Sequence, residues 1–254
     1  MRLKGKAGVV TGGGAGIGRG IVLALAREGA DVGVLDINGE AASKTAKDAE
    51  ALDVRALSLE ADVASQKSVE NAIKKVLGVF GKIDILVNNA GISPKRQGLK
   101  VPVVEMDPAE WERVIAVNLG GDFLCSRAVL PGMIERKYGK IINMSSVSAK
   151  TGGFAGGAHY ASSKAGILAL TKAIALEVAR YGINVNAVMP SRIKTEMGFS
   201  IPESKLKERL AQIPLGRLGT PEDVAEAILF LACDQTSGWI TGATLNVSGG
   251  ALMD

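Results

Sequence analysis

Thr11-Gly12-Gly13-Gly14-Ala15-Gly16-Ile17-Gly18 joins a short apolar run, Ala7–Thr11, to a segment of helical period that opens near Gly16. Glycines at such a junction let the chain reverse sharply and bring backbone N–H groups close to an anion. A helix N-terminus behind them adds partial positive charge toward a phosphate. A tight strand-to-helix turn without a ligand would use the same residues. Its position directly after the first strand is what a dinucleotide-binding turn requires, and Gly12, Gly14, Gly16, Ile17 and Gly18 are its candidate contacts.

Outward from this turn the chain alternates short apolar runs with longer helical segments. The runs are Ala7–Thr11, Asp31–Asp36, Val54–Leu59, Ile83–Val87, Ile141–Met144, Ile183–Met189 and Thr244–Val247. They are near-continuously apolar, as expected of parallel strands covered on both faces. Helices are predicted over about 16–29, up to Leu52, over 65–80, in one piece over 108–137, over 157–181, and from Pro221, where proline opens a first turn. Gly29 and Gly81 sit where helices should stop. Strand and helix in alternation predict right-handed βαβ units. The expected fold is α/β: a single doubly wound Rossmann-type domain over residues 1–254, with a seven-stranded parallel sheet flanked by helices. Ser200–Gln212 reads as a small mobile helical segment between Pro202 and Pro214.

Composition excludes several classes. Of 254 residues 47% are hydrophobic and 22% charged, which supports a sizeable core and rules out disorder as the main state. The net charge of +4 is too small to argue for nucleic acid without a concentrated patch, and 4% aromatics supply few stacking platforms. With one histidine, His159, a multi-histidine metal centre is impossible, and no metal is expected. The cysteines, Cys125 and Cys233, lie in apolar periodic segments and read as buried free thiols in a reducing compartment. The apolar run near the N-terminus is too short for a signal peptide, and no stretch of eighteen apolar residues occurs. A soluble cytoplasmic protein is expected, without membrane or nucleic-acid partners.

Asp36 ends the second run, about twenty residues after the glycines, where a carboxylate accepts hydrogen bonds from ribose hydroxyls and repels a 2′-phosphate. It could instead cap the next helix. Ile37, Asn38 and Gly39 offer no cation for that phosphate, so the expected cofactor is NAD. Tyr160-Ala161-Ser162-Ser163-Lys164 lies on a strongly helical segment, and a spacing of four puts tyrosine and lysine on one face. An ammonium near a phenol stabilises phenolate and makes tyrosine a usable general acid/base.

With these residues in view the sequence resembles the short-chain dehydrogenase/reductase family over essentially its whole length. The motifs fall in the family's order: the Thr11–Gly18 turn, Asp62-Val63, Asn88-Asn89-Ala90-Gly91, Asn118, Ser145-Ser146 at a strand end, Tyr160 with Lys164, Pro190, and the ending Ile240–Gly250. The resemblance implies roles. Tyr160 would exchange a proton with the substrate oxygen, while Lys164 lowers its pKa and holds the nicotinamide ribose. Ser146 would hydrogen-bond the substrate oxygen, with Ser145 and Ser148 as competitors. Asn118 would shape the long helix and hold a water linking Lys164 to solvent. Asp62 and Val63 would contact adenine, and Asn89, Ala90 and Gly91 would line the cofactor groove. Pro190, Ile193 and Thr195 would face the nicotinamide from a substrate loop with a helical segment at about 193–215. Asn88 and Asn89 could equally satisfy backbone groups at a strand end, and Asp62 could cap a helix. His159 is turned about 100° from its neighbour around the helix and reads as a pocket-wall or packing residue, not a proton carrier.

Two positions depart from the family pattern. Pro190-Ser191-Arg192 stands where Pro-Gly is usual, and Ser248 where Asp is commoner. The stretch from Ser146 to Tyr160 is one residue longer than common versions. Lys95, Arg96, Lys100, Lys150, Arg192 and Lys194 lie on loops expected around the site; if they converge, the mouth favours a carboxylate, phosphate or acyl-carrier substrate. The expected activity is NAD(H)-dependent interconversion of a secondary alcohol and a ketone on a small polar substrate, a hydroxy acid or sugar derivative. The alternative within the family is an NADPH-dependent 3-oxoacyl-carrier reductase, against which Asp36 argues. A non-catalytic cofactor-binding scaffold would have no need of Tyr160, Lys164 and Ser146. The resemblance also implies a homotetramer joined through the two long helices, where Ala165, Ala169, Ala173 and Ala175 could face a neighbour or the core.

Overall fold

The computed structural model describes residues 1–153, 156–195 and 210–253. Seven strands form one parallel sheet: β1 (Ala7–Thr11), β2 (Asp31–Asp36), β3 (Ala56–Glu60), β4 (Ile85–Asn88), β5 (Gly139–Met144), β6 (Ile183–Pro190) and β7 (Thr244–Val247). Their order is β3-β2-β1-β4-β5-β6-β7. The order reverses between β1 and β4, so the loops leaving those two strands diverge and open a crevice at the carboxyl edge. The central strands β1, β4 and β5 are buried throughout, which explains their continuous apolar runs. Two apolar layers cover the sheet. One packs α1 (Gly16–Arg27), α2 (Gly39–Glu50) and a later helix, Pro221–Ala232, against it; the other uses α3 (Gln66–Phe80) and the long helices.

The segment predicted as one helix over 108–137 is two. α4 (Pro108–Ile115) runs into a π turn, Ala116–Gly120, and then α5 (Gly121–Arg136). A π turn inserts an extra residue into the helix and is frequent at functional sites. The whole run, Pro108–Arg136, has the length and apolarity of a membrane span, but it packs on β4, β5 and α3 as a core element. After β5 come α6 (Ser148–Thr151) and α7 (Ala158–Val178), which tightens into a 3-10 turn at Ala179–Tyr181. α8 (Pro221–Ala232) and α9 (Asp234–Ser237) precede β7. The segment Ser200–Gln212 lies outside the described residues except for its last three, and of 193–215 only 193–195 and 210–215 are described. On α7, Ala169 and Ala173 are exposed beside Leu176, whereas Ala175 is buried. Both cysteines are buried and unpaired.

Side-chain caps meet orphan N–H groups at the start of four helices. Asn38 accepts from Ala41, Ser65 from Ser68 and Asp107 from Ala109. Thr220 and Asp223 form a reciprocal capping box on α8, and Arg217 grips the same carboxylate with both terminal nitrogens at 2.6 and 2.8 Å. The hydrogen bonds from Arg217 hold the Asp223 carboxyl well below the usual carboxylate range. Its stabilisation is therefore present above the ordinary carboxylate pKa and is lost as pH falls through the depressed one. Thr220→Ala should cost about 1 kcal/mol in urea denaturation. Asp223→Asn should destabilise at neutral pH, with the gap from the wild type closing as pH drops below about 4.

Candidate active site

The glycine turn is built to present backbone. Gly12 and Gly16 have φ of +61° and +52°, a region L side chains avoid. A Cβ on Gly12 would lie 2.9 Å from the Cα of Ala90, and one on Gly14 2.8 Å from the Cβ of Ala41. α1 begins at Ala15 with no side-chain cap and no acidic residue in its first turn. The N–H groups of this first turn thus have no side-chain cap among the described residues, which suits an anion such as the pyrophosphate of a dinucleotide. The amide of Gly14 donates to Asp36 Oδ2 at 2.9 Å and that of Asn38 to Oδ1 at 3.0 Å. Asp36 is thus not the cap of α2, a role Asn38 fills; it is half-buried, fixed beside the turn, with lone pairs left on both oxygens.

The loop after β4 closes on this turn. The amides of Asn89 and Ala90 both donate to Thr11 Oγ1 at 3.0 Å. Asn89 Nδ2 donates to the carbonyls of Thr11 and Gly12 at 3.0 and 3.1 Å. The Asn89 side chain therefore holds the turn, and what the loop offers a ligand is mainly backbone of Ala90 and Gly91. Asn88 faces the other way, donating to Asn143 Oδ1 at 2.8 Å and Ser126 Oγ at 3.0 Å. Asp62 does not cap α3, which Ser65 does; it accepts from the Ala64 amide and lies 3.5 Å from Arg113. The Val63 side chain is buried, and a Cβ on Gly121 would come within 2.8 Å of it.

Asn118 sits in the π turn and is fully buried. Its Oδ1 accepts from the Ile92 amide at 2.8 Å, and its Nδ2 donates to the Ile92 carbonyl and to Ser163 Oγ, each at 3.0 Å. Its amide is spent on tying the β4 loop to α7. A Cβ on Gly91 would stand 3.3 Å from Asn118 Oδ1 and 3.5 Å from Lys164 Nζ, so the glycine lets the lysine pass behind the loop.

Tyr160 and Lys164 lie one turn apart on α7, as their spacing predicts, with Nζ 5.8 Å from the phenol ring centre. Lys164 is buried, and Nζ donates to the Met144 carbonyl at 2.6 Å, which anchors the ammonium at the end of β5. Ser145 donates to the Lys164 carbonyl at 2.7 Å and is committed there. Ser146 Oγ accepts from the Ser148 amide at 3.2 Å, which leaves its own proton available to a ligand. Farther along the edge, Pro190 ends β6, Ile193 pairs with Gly219, and Thr195 comes to 3.4 Å from where a Cβ on Gly16 would sit. Lys100 reaches the Gly153 carbonyl at 3.4 Å and Arg192 donates to Gln212.

Three hydroxyls not singled out in the sequence serve this architecture. They are Thr11, Ser163, which donates to the Tyr160 carbonyl at 2.8 Å, and Thr45, which reaches from α2 to the Gly14 carbonyl at 3.0 Å. A threonine immediately before the glycines was the one legible signal among them.

A family profile described as enoyl-(acyl carrier protein) reductase matches residues 12–251. The chain is similar to 3-oxoacyl-[acyl-carrier-protein] reductase of Thermotoga maritima, 41% identical over 253 residues and covering 100% of both. It is 40% identical over 250 residues to a subunit of (2S)-[(R)-hydroxy(phenyl)methyl]succinyl-CoA dehydrogenase of Thauera aromatica, covering 98% of each. Among solved structures, a 3-oxoacyl-[acyl-carrier protein] reductase with bound NAD from Brucella melitensis superposes with a TM-score of 0.92 at 38% identity, over 100% of this chain and 95% of that one.

Thr11→Val keeps the volume of a residue only 1% exposed but removes the acceptor of two amides. The expected cost is about 1–3 kcal/mol in chemical denaturation. Calorimetric titration with NADH should show weaker binding as well, because the turn and the β4 loop come apart.

Proposed function

The chain belongs to the short-chain dehydrogenase/reductase family, and on that premise we propose that it reduces a 3-oxoacyl thioester to the 3-hydroxyacyl thioester with NADH, or runs the reverse oxidation. Tyr160 is the general acid/base, with Ser146 and Lys164 beside it. The observation that carries this reading is the Tyr160–Lys164 pair with its ammonium fixed on the carbonyl of Met144, two residues before Ser146, whose hydroxyl accepts from the Ser148 amide and donates to no acceptor among the described residues.

Bound nicotinamide would supply the hydride to the carbonyl carbon, or accept it in reverse. In the reducing direction Tyr160 gives its phenolic proton to the carbonyl oxygen, while Ser146 donates a hydrogen bond to the same oxygen. Lys164 stabilises the phenolate left behind, and in the oxidising direction that phenolate takes the proton from the hydroxyl. The uncapped first turn of α1 with Gly12, Gly14, Gly16, Ile17 and Gly18 would hold the pyrophosphate. Asp36 would take the adenosine ribose diol, which favours NADH over NADPH. Asp62 and the Val63 backbone would border adenine, with Asn89, Ala90 and Gly91 along the groove. Pro190, Ile193 and Thr195 would face the nicotinamide end. Asn118 clamps the β4 loop to α7 through its side chain, and it would also hold the water linking Lys164 to solvent that the resemblance implies.

The free hydroxy acid or sugar derivative expected from the sequence has less support than a thioester. Two relatives alike over their whole length carry names that put an oxo or hydroxyl group on an acyl thioester, one on acyl carrier protein and one on CoA. Both carriers are anionic, in keeping with Lys150 on α6 and Lys100, Arg192 and Lys194 on the loops. A homotetramer fits the apolar side chains that α5 and α7 leave outward, Phe123 and Leu176.

The test is turnover of acetoacetyl thioesters, on CoA and on acyl carrier protein, followed by loss of NADH absorbance. NADH should be preferred over NADPH, and Asp36→Ser should erode that preference by at least about tenfold. Tyr160→Phe should lower kcat by about 10²- to 10⁴-fold while NADH still binds. Oxidation of free hydroxy acids with no turnover of either thioester would overturn the substrate assignment.

A further inference from the structure

His159, the sole histidine of the chain, is completely buried one residue before Tyr160. It is not inert packing. Its Nδ1 lies 2.6 Å from the backbone nitrogen of Tyr160, and its Nε2 lies 3.2 Å from Glu110 Oε1 on α4. The Tyr160 N–H is a donor, so Nδ1 must be an acceptor there and the ring proton sits on Nε2, where it donates to the Glu110 carboxylate. α7 begins at Gly157 with no side-chain cap from outside the helix. The imidazole therefore does from within the first turn what a cap does elsewhere, satisfying the otherwise orphaned amide of Tyr160.

We propose that His159 is a pH-responsive positioning residue for Tyr160: the neutral ring pins the tyrosine backbone, and protonation at Nδ1 releases it while turning the His159–Glu110 contact into an ion pair. A protonated Nδ1 cannot accept, so its N–H and that of Tyr160 would point at one another. The first turn must then shift, and the phenol moves with it. α4 brings Glu110, with Arg113 of the same helix drawn toward Asp62. The π turn and Met106, which lies against the same first turn, bring no charge. α6 carries Lys150, and α7 itself carries Tyr160 and Lys164. Glu110 is the carboxylate in contact, and it gives the released state somewhere to go.

The inference rests on Tyr160 being the proton-transfer residue only in its kinetic arm; its spectroscopic arm needs no substrate. A single histidine gives a single pair of imidazole nitrogen signals. In ¹⁵N-labelled protein titrated over about pH 5–9, the alkaline form should be the Nε2–H tautomer. The Tyr160 amide shift and its exchange rate should then follow the same midpoint as the ring. In acetoacetyl-thioester reduction, kcat/KM should fall roughly tenfold to a lower plateau across that midpoint, as a small misplacement of a reacting group would cause. His159→Asn places Oδ1, an acceptor that cannot titrate, near the position of Nδ1. It should remove the acid limb and recover most of the rate that His159→Ala loses. Glu110→Gln keeps an oxygen for Nε2–H but removes the charge that favours imidazolium. It should move both midpoints to lower pH together, and it serves where the His159 variants fail to fold. An Nδ1–H tautomer at alkaline pH, or a Tyr160 amide indifferent to ring protonation, overturns the proposal. So does an acid limb that survives in His159→Asn. Absence of thioester turnover beside a normal NMR titration would count against the substrate assignment alone.

Discussion

The hydroxyl of Thr11 is the point on which the rest of the crevice hangs. At the switch between β1 and β4 two loops leave neighbouring strands in opposite directions, and neither can pair its backbone with the other as strands do. Thr11 Oγ1 supplies the missing acceptor for two amides of the β4 loop, and Asn89 returns two donors to the glycine turn. Each of these polar groups is partly or wholly shut from water, so leaving one unmet costs about 1–3 kcal/mol, more than a made bond contributes. The closeness that follows leaves no space for a side chain on Gly12, and it carries on through Gly91 to Asn118 and Lys164. The glycine turn and the Tyr160–Lys164 side of the crevice are thereby fixed by one continuous set of contacts.

Beneath the site lies a buried polar column. Asn88 and Asn143 are paired in register at the ends of β4 and β5, and Asn143 passes the chain of bonds to Thr171 on α7. The column is only partly satisfied, since Asn88 Oδ1 and Asp122 Oδ2 are buried and find no hydrogen-bond partner among the described residues. Asp122, at its margin, is buried, and burial holds its carboxyl well above the usual range, against the pull of Lys164. Burial also pushes the Cys125 thiol up to about 12. A thiol so shielded is not a nucleophile at neutral pH, in keeping with its reading as structural.

What the sequence disclosed and what it hid differ for physical reasons. Parallel strands covered on both faces leave continuous apolar runs, so the seven strands could be placed within about two residues. The tyrosine–lysine pair was legible because helical spacing alone puts it on one face. The π turn was not: its residues, Ala116-Val117-Asn118-Leu119-Gly120, carry no local mark, and the extra residue is accommodated because the Asn118 amide is drawn to Ile92 and Ser163, far away in sequence. Asp36 and Asp62 were ambiguous as caps until Asn38 and Ser65 proved to hold those positions. Thr45 and Ser163 read like ordinary helix hydroxyls, since their partners include groups on other elements.

These contacts converge on the first two turns of α7. The carbonyl of Lys164 is held by Ser145 and its ammonium by Met144, both from the end of β5. The carbonyl of Tyr160 is held by Ser163, itself bound to Asn118 in the π turn. The amide of Tyr160 meets His159, which faces Glu110 on α4. Three elements thus grip the backbone and the lysine, and the phenol stands at their junction. An acid/base group must lie within hydrogen-bond reach of its proton, and small errors of placement there are costly in rate. A rigid seat around a half-buried phenol would meet that demand in the role proposed for Tyr160, with the helix carrying the phenol and the sheet setting where the helix can lie.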